Sequence, residues 1–358
     1  MEKKQSITWI CMFVLIIVVL PIALFLTNKE EEINQENRTL AEFPNFNIRN
    51  IDGWITQFDE YVNDHIPRRS DIIRTKNLID LNMLGISPSK KVVCGEEGWM
   101  YLAESVDWYR GKELYTKEEL ERIEENLLFL ANKMSDMGGE FILFIAPNKE
   151  SIYPEYLPKT IDVSTYNKTD QIVELLIKNG ITYVFPKEEI EKYKDKWQLY
   201  AKRDTHWNSK GAYIGTSKLN KYIGTEMPIL EDLEIYPKPY DGEDLSRQMN
   251  LAGYWGNEED YDYVGYAPGC VISIVDWDAT GSTVWYQTTG TSERKVYFIR
   301  DSFGELMMNF VAAGSTDVCI RHIDMFFSES IEEEEPDYLV LELVERRLDE
   351  LLNLGLKE

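Results

Sequence analysis

The sequence is short of positive charge. Its 38 Lys and Arg residues stand against 63 Asp and Glu, a formal net charge of -25 over 358 residues. A polyanion is held by releasing its counterions to a basic surface, so a chain this acidic excludes nucleic acid as a partner. Cysteine is scarce too. The four, Cys11, Cys94, Cys270 and Cys319, form no CxxC pair and lie near no histidine at ligand spacing, so neither a structural metal nor a cofactor is expected. Cys319 falls in the apolar run DVCIRH, and buried free thiols are expected rather than a disulfide framework. Only three histidines occur, His65, His206 and His322, which narrows the choice of any general base. No internal repeat is visible.

What the chain does have is 44% apolar residues, enough for one large core with embellishments. Residues 7–27 form one apolar run without a charged side chain, about the ~20 residues a helix needs to cross a bilayer. Lys3 and Lys4 precede it and only Lys29 follows before Arg38, so the positive-inside bias puts the N-terminus in the cytoplasm and the rest outside. ALFLTN offers no small-x-small cleavage site, which favours an uncleaved anchor over a cleaved signal peptide. The expected plan is a cytoplasmic N-terminus (1–6), a transmembrane helix (7–27), a polar tether (28–39), a helical and hairpin segment (40–115) and a main domain (116–358). The acidic stretch ESIEEEEPD, residues 329–337, reads as a solvated loop ahead of a strand.

Within 40–115, apolar spacing predicts two helices separated by Pro67 and then a hairpin over VVCGEEGWMYL, turning at residues 96–98. From residue 116 helices and strands alternate. Helices are expected over 117–137, 166–178, 209–222 (with Asn208 as N-cap), 303–313 and 344–352, and strands over 141–146, 181–185, 296–299, 317–321 and 338–343. Continuous apolar runs such as FILFIA suit strands buried on both faces, so the alternation predicts a parallel α/β sheet covered by helices. Between about 227 and 294 the composition shifts to Tyr, Trp, Gly, Asp and Thr, and a small β-rich insertion is expected there.

Two segments carry chemistry. In KVYFIRDSFGELMM an apolar strand runs into Asp301-Ser302-Phe303-Gly304 and then a helix, which places Ser302 at a strand-to-helix turn. Ligands gather beyond the carboxyl ends of such strands, and backbone N–H groups there suit a developing oxyanion. Read alone, Asp301 or Ser302 serves equally well as a helix cap. In RDTHWNSKG, Asp204 and His206 lie two apart just before a helix. A hydroxyl needs a base within hydrogen-bond reach and a third group to fix that base's tautomer, and Asp204, His206 and Ser302 can fill those roles. His65 sits at a helix end and His322 after a strand, neither beside a serine motif. Asn148, Lys149, Tyr153, Trp207, Arg300 and Arg321 are substrate-binding candidates by position, each also readable as a surface ion pair or packed aromatic.

DTHWN and RDSFG resemble the DxHW and GDSF motifs of the SGNH-hydrolase-like polysaccharide O-acetyltransferases, the AlgJ/AlgX-like and DHHW proteins. ENRTLAEFP (36–44), YVNDHIPRRSDII (61–73), VVCGEEGWMYL (92–102) and IAPNKESIYPEYLP (145–158) resemble that family in the same order. The resemblance implies a flavodoxin-like core in which the Asp-His pair precedes the serine, the reverse of the usual SGNH order. It further implies acetyl transfer to hydroxyls of a cell-surface polysaccharide, fed by a multi-spanning, MBOAT-like membrane acyltransferase, since cytosolic acetyl donors cannot reach an outer site. Arg300 departs from the motif, which has Gly there. An acetyl-polysaccharide esterase of the same fold remains open. So does a non-catalytic carbohydrate-binding assembly protein, suggested by the aromatics between Tyr236 and Tyr286.

Overall fold

The computed structural model describes residues 41–64, 68–240, 242–256 and 258–354, with scattered positions between 8 and 18. The expectations for 1–6, 7–27 and 28–39, and those resting on His65 and the Pro67 break, fall wholly or largely outside these residues. Among the described residues no helix is long and apolar enough to cross a membrane.

Two compact units divide the chain, one comprising residues up to 88 with 247–252, the other residues 89–246 with 253–358. In the first, α1 (Ile51–Asp64) and α2 (Arg69–Leu84) are the two helices that apolar spacing predicts. Trp54 and Phe58, one turn apart on α1, stack with ring centroids 5.1 Å apart, which is what i,i+4 spacing allows.

The second unit begins with a hairpin, β1 (Val92–Cys94) and β2 (Met100–Leu102), turning through Glu96–Gly98 as expected. Nine more strands follow among the described residues: β3 (Glu140–Ala146), β4 (Thr182–Val184), β5 (Glu234–Tyr240), β6 (Glu258–Val264), β7 (Val271–Trp277), β8 (Thr283–Thr289), β9 (Lys295–Arg300), β10 (Asp317–His322) and β11 (Tyr338–Val344). The central sheet has the order β4-β3-β11-β9-β10-β8-β7. The run from β4 to β10 is parallel throughout, while β8 joins β10 and β7 joins β8 antiparallel. The sheet is therefore mixed, not wholly parallel. The β-rich stretch at about 227–294 supplies β5 to β8, of which β7 and β8 extend the main sheet while β5 and β6 pair as a hairpin of their own.

Numbering the five parallel strands from β9 gives β9, β10, β11, β3, β4, and their order in space is then 2-1-3-4-5. That is the flavodoxin order with the chain circularly permuted. The permutation explains why the Asp-His segment, which follows β4, precedes the serine segment after β9 in sequence.

Helices cover both faces. α3 (Lys117–Asp136) starts in a reciprocal capping box between Thr116 and Glu119 and buries Ile123, Leu127, Leu130 and Met134 at helical spacing. α4 (Lys168–Asn179) is capped by Asn167 and α5 (Ser209–Tyr222) by Asn208, whose side chain accepts from the backbone N–H groups of Lys210 and Gly211. Strand residues alternate between the two layers. Ile142, Phe144, Val296, Phe298 and Val340 join the cluster holding Ala212 and Tyr213 of α5, whereas Leu143, Ile145, Tyr297, Ile299 and Leu341 join the one holding α3 and α4. Each such fully buried side chain contributes about 1.5–3 kcal/mol. The helix expected over 303–313 is a 3₁₀ turn, Phe303–Met307, leading into α6 (Met308–Ala313), and the C-terminal helix is the 3₁₀ segment Glu345–Leu352.

Candidate active site

The parallel strands end together, so the segments after β3, β9 and β11 meet at one edge of the sheet. Ser302 follows β9. The turn that presents it is fixed by Asp301, fully buried, whose Oδ1 accepts from the Phe303 N–H at 2.7 Å and whose Oδ2 accepts from the Val344 N–H at 2.9 Å. Asp301 is thus the clamp of the turn. Beside it on β11, Glu342 is also buried, and its Oε2 accepts from the Asp301 N–H at 3.0 Å. Burial first, and the adjacent Asp301 second, push the Glu342 carboxyl well above the usual range. Gly304 is needed in this turn, since a Cβ there would stand 2.6 Å from the Arg300 Cβ and 2.7 Å from Glu342 Oε2.

Asp204 and His206 arrive on the loop before α5. Asp204 Oδ1 lies 2.6 Å from His206 Nδ1 and accepts from the His206 N–H at 3.0 Å, while Oδ2 accepts from the Asp244 N–H at 2.9 Å. Burial alone would raise the Asp204 carboxyl. The hydrogen bond and charge of His206, with the two backbone donors, outweigh it and hold the group far below the ordinary value. A carboxylate facing Nδ1 fixes the proton there and leaves Nε2 as an acceptor. His206 Nε2 lies 2.9 Å from Ser302 Oγ. The three residues singled out from the sequence therefore form one continuous hydrogen-bonded line.

Asp244 was not evident from the sequence. It lies just after β5 in the hairpin region and is 40 positions from Asp204, with no local motif to mark it. Its carboxylate accepts from the Thr205 N–H at 2.8 Å and from the Thr205 hydroxyl at 2.5 Å, which pins the residue between Asp204 and His206. Burial, and then the charge of Asp204, raise its affinity for a proton. Asp204, His206 and Asp244 each place one ligand-type atom within 4.8 Å of the others. The Asp204 carboxylate and the imidazole are already engaged with each other, and the Asp244 carboxylate with Thr205.

Most of the positional candidates are built into the fold. Trp207 is fully buried at the wall of the cleft, and its Nε1 donates to the Phe303 carbonyl at 3.0 Å, tying the imidazole loop to the serine turn. Asn148, Lys149, Tyr153 and Arg321 are buried as well. The Lys149 ammonium is buried and donates to the carbonyls of Ala201, Lys202 and Asp204 at 3.0, 3.1 and 2.6 Å, so it holds the loop that carries Asp204. Burial lowers its pKa to about 8. Asn148 donates its N–H to Glu345 and accepts from Arg346, and Tyr153 donates to the Trp197 carbonyl and accepts from the Leu199 N–H. The Arg321 guanidinium packs between Tyr297 and Phe327. Position after a strand does not reveal direction: the short helix Lys149–Ile152 turns its side chains inward. Arg300 is mostly covered, its guanidinium donating to the Asp301 carbonyl at 3.1 Å and lying 3.9 Å from Glu305.

An open cleft of roughly 550 Å³ lies over the serine, bordered by the Asp204–Trp207 loop, the end of β5 and the turn from Ser302 to Leu306. Glycine again permits the close approach beneath it, as a Cβ on Gly211 would stand 2.6 Å from the Leu199 carbonyl oxygen.

The sheet and its covering helices form an SGNH-like α/β fold, and at its carboxyl edge a serine, an imidazole and a carboxylate lie in line. Residues 92–247 match the family profile described as "SGNH hydrolase-like domain, acetyltransferase AlgX". Among curated proteins, the probable alginate O-acetylase AlgJ of Pseudomonas syringae pv. tomato is 25% identical over 176 residues, 46% of this chain and 43% of that protein. The AlgJ of Pseudomonas putida is 24% identical over 175 residues. The chain thus spans less than half the length of the curated relatives it matches. A DHHW family protein from Eubacterium siraeum shares the fold at 14% identity with a TM-score of 0.52, covering 75% of this chain and 99% of that one. Bacillus cereus PatB1 does so at 13% identity and a TM-score of 0.52, covering 74% and 99%. The family resemblance expected from the motifs is met.

Proposed function

We propose that the chain is an extracytoplasmic O-acetyltransferase that passes an acetyl group, through an ester on Ser302, to hydroxyls of a cell-surface polysaccharide. The observation that carries this reading is the 2.9 Å approach of His206 Nε2 to Ser302 Oγ, with Asp204 behind the imidazole. A binding-only protein has no use for that alignment. In the first half-reaction Ser302 Oγ attacks the acetyl carbonyl carbon and its proton passes to His206 Nε2. The donor's acyl–oxygen bond then breaks and the leaving oxygen takes that proton. In the second, a sugar hydroxyl attacks the acetyl-serine, its proton goes to His206, and the acyl–Ser302 bond breaks with return of the proton to Oγ. The Ser302 N–H serves as an oxyanion donor, since the Asp301 carboxylate already occupies the Phe303 N–H.

The reading includes an anchor at residues 7–27 with the N-terminus inside, and an MBOAT-like membrane partner that delivers acetyl groups across the bilayer. The profile match over 92–247 and the named acetylase relatives support the transfer direction. A second reading, an acetyl-polysaccharide esterase, is favoured by the openness of the cleft, where water competes for the acetyl-serine. The full chain incubated with p-nitrophenyl acetate, with and without neutral oligosaccharide, separates the two. Acetylated sugar forming at the expense of free acetate is the expected result, and hydrolysis indifferent to sugar would sink the transferase reading.

A further inference from the structure

Three cations around the cleft, Lys238, Arg203 and Arg300, stand near acids, while Arg346 packs over the buried Phe303 ring at 5.0 Å and donates to the Asn148 amide oxygen. Lys238, the one lysine bordering it, lies 2.7 Å from Asp262. Arg203, next to Asp204, is 3.9 Å from Glu258 and packs over the Trp255 ring at 5.3 Å. Arg300, next to Asp301, donates from Nη1 to the Asp301 carbonyl and lies 3.9 Å from Glu305, with its Nε buried and turned away from any partner. The remaining charged lining groups besides His206 are acids: Asp204 and Asp260, both buried, and Glu305, whose side chain is 68% exposed at the rim.

A polyuronate carries a carboxylate on every residue. To lie across Ser302 it would bring that charge up to Glu305 against the repulsion of a chain of net charge -25, and the lysine on the lining, Lys238, already faces Asp262. A neutral pyranose meets none of these costs, and the half-buried Tyr240 and Leu306 offer it aromatic and apolar surface. We infer that the acceptor is a polysaccharide uncharged around the acetylated hydroxyl, unlike the polyuronate alginate for which the curated relatives are named. The inference rests on the transferase reading above and specifies its substrate class.

The test uses the full chain, p-nitrophenyl acetate as donor, and two acceptors of equal length, a neutral gluco-oligosaccharide and an oligouronate, from low to physiological salt. Transfer to the neutral acceptor should be at least about tenfold more efficient. Transfer to the oligouronate should rise with added salt, because screening relieves repulsion. Glu305→Lys should raise the uronate-to-neutral ratio several-fold. Equal or better use of the oligouronate, a uronate rate that falls with salt, or a ratio unmoved by Glu305→Lys would each overturn the inference while leaving the transferase reading intact. If neither acceptor gains acetyl while the donor is hydrolysed, the transferase reading is what fails. Acceptor charge is then read from binding of the two oligomers to the Ser302→Ala chain, where tighter retention of the uronate overturns the inference independently.

Discussion

His206 Nε2 and Ser302 Oγ stand 2.9 Å apart although 96 positions of sequence separate the two residues. The approach is produced by two loops at one edge of the parallel sheet, the first braced by the Lys149 ammonium and the second by the Asp301 carboxylate. Both braces are buried. Activity should therefore respond to changes in either brace as well as to loss of the reacting atoms themselves.

On the transferase reading, replacing Ser302 by Ala removes the attacking hydroxyl and little else. Turnover of an acetyl ester should fall by about 10⁴–10⁶-fold if the three groups act as a unit, while the thermal midpoint stays close to that of the parent. Mass spectrometry of the wild-type chain after donor treatment should find one acetyl group on the peptide carrying Ser302. An acetyl group trapped elsewhere would take the serine out of the mechanism.

Asp244 acts through Thr205 and Asp204 and does not border the cleft. Asp244→Ala should lower kcat by about 10²-fold, the scale of a small misplacement of a catalytic group, with KM nearly unchanged. Asp244→Asn, which keeps an acceptor for the Thr205 N–H, should recover much of the loss. A rise in KM with constant kcat would instead make Asp244 a binding residue.

At Gly304 there is no room for a methyl group, because the nearest neighbours are the Arg300 Cβ and a Glu342 carboxyl oxygen. Gly304→Ala should destabilise the fold by about 1–3 kcal/mol, the usual cost of overpacking. Calorimetry should show a midpoint lowered by roughly 2–4 °C per kcal/mol. A midpoint at or above the wild-type value would mean the turn relaxes more freely than these contacts imply.

Glu342 keeps its proton in the fold at a pH where the unfolded chain would release it. The native state then binds more protons than the unfolded one between the ordinary Glu value, about 4.3, and the raised folded value. In that window stability falls as pH rises, by at most about 1.4 kcal/mol per pH unit for one proton. Glu342→Gln holds a neutral group in the same place and should flatten this part of the profile. Denaturant titrations between pH 5 and 7 with equal slopes for the two proteins would show that Glu342 is ionised when folded.

Much of the catalytic half was legible because its signals are local. Asn208 marks the start of α5 through its own side chain, and the apolar runs mark β3, β9 and β11 without reference to their neighbours. The Asp-x-His spacing places the two groups in contact through a single turn. What escaped depends on distant pairing. Nothing near Thr283 announces that β8 will lie beside β10, and nothing near Asp244 announces Thr205. Lys149 and Tyr153 escaped for a different reason: a lysine or tyrosine at a strand end reads as cleft-lining until the direction of the following turn is known, and here it points inward.

The place of β11 bears on when the protein becomes active. It is the last of the described strands, yet it lies between β3 and β9, and so between the half that carries the imidazole and the half that carries the hydroxyl. A nascent chain emerging from its N-terminus holds both chemical partners long before it holds the wedge that aligns them. Docking of this strand is therefore what joins the two halves of the sheet, and with them the loops that carry His206 and Ser302.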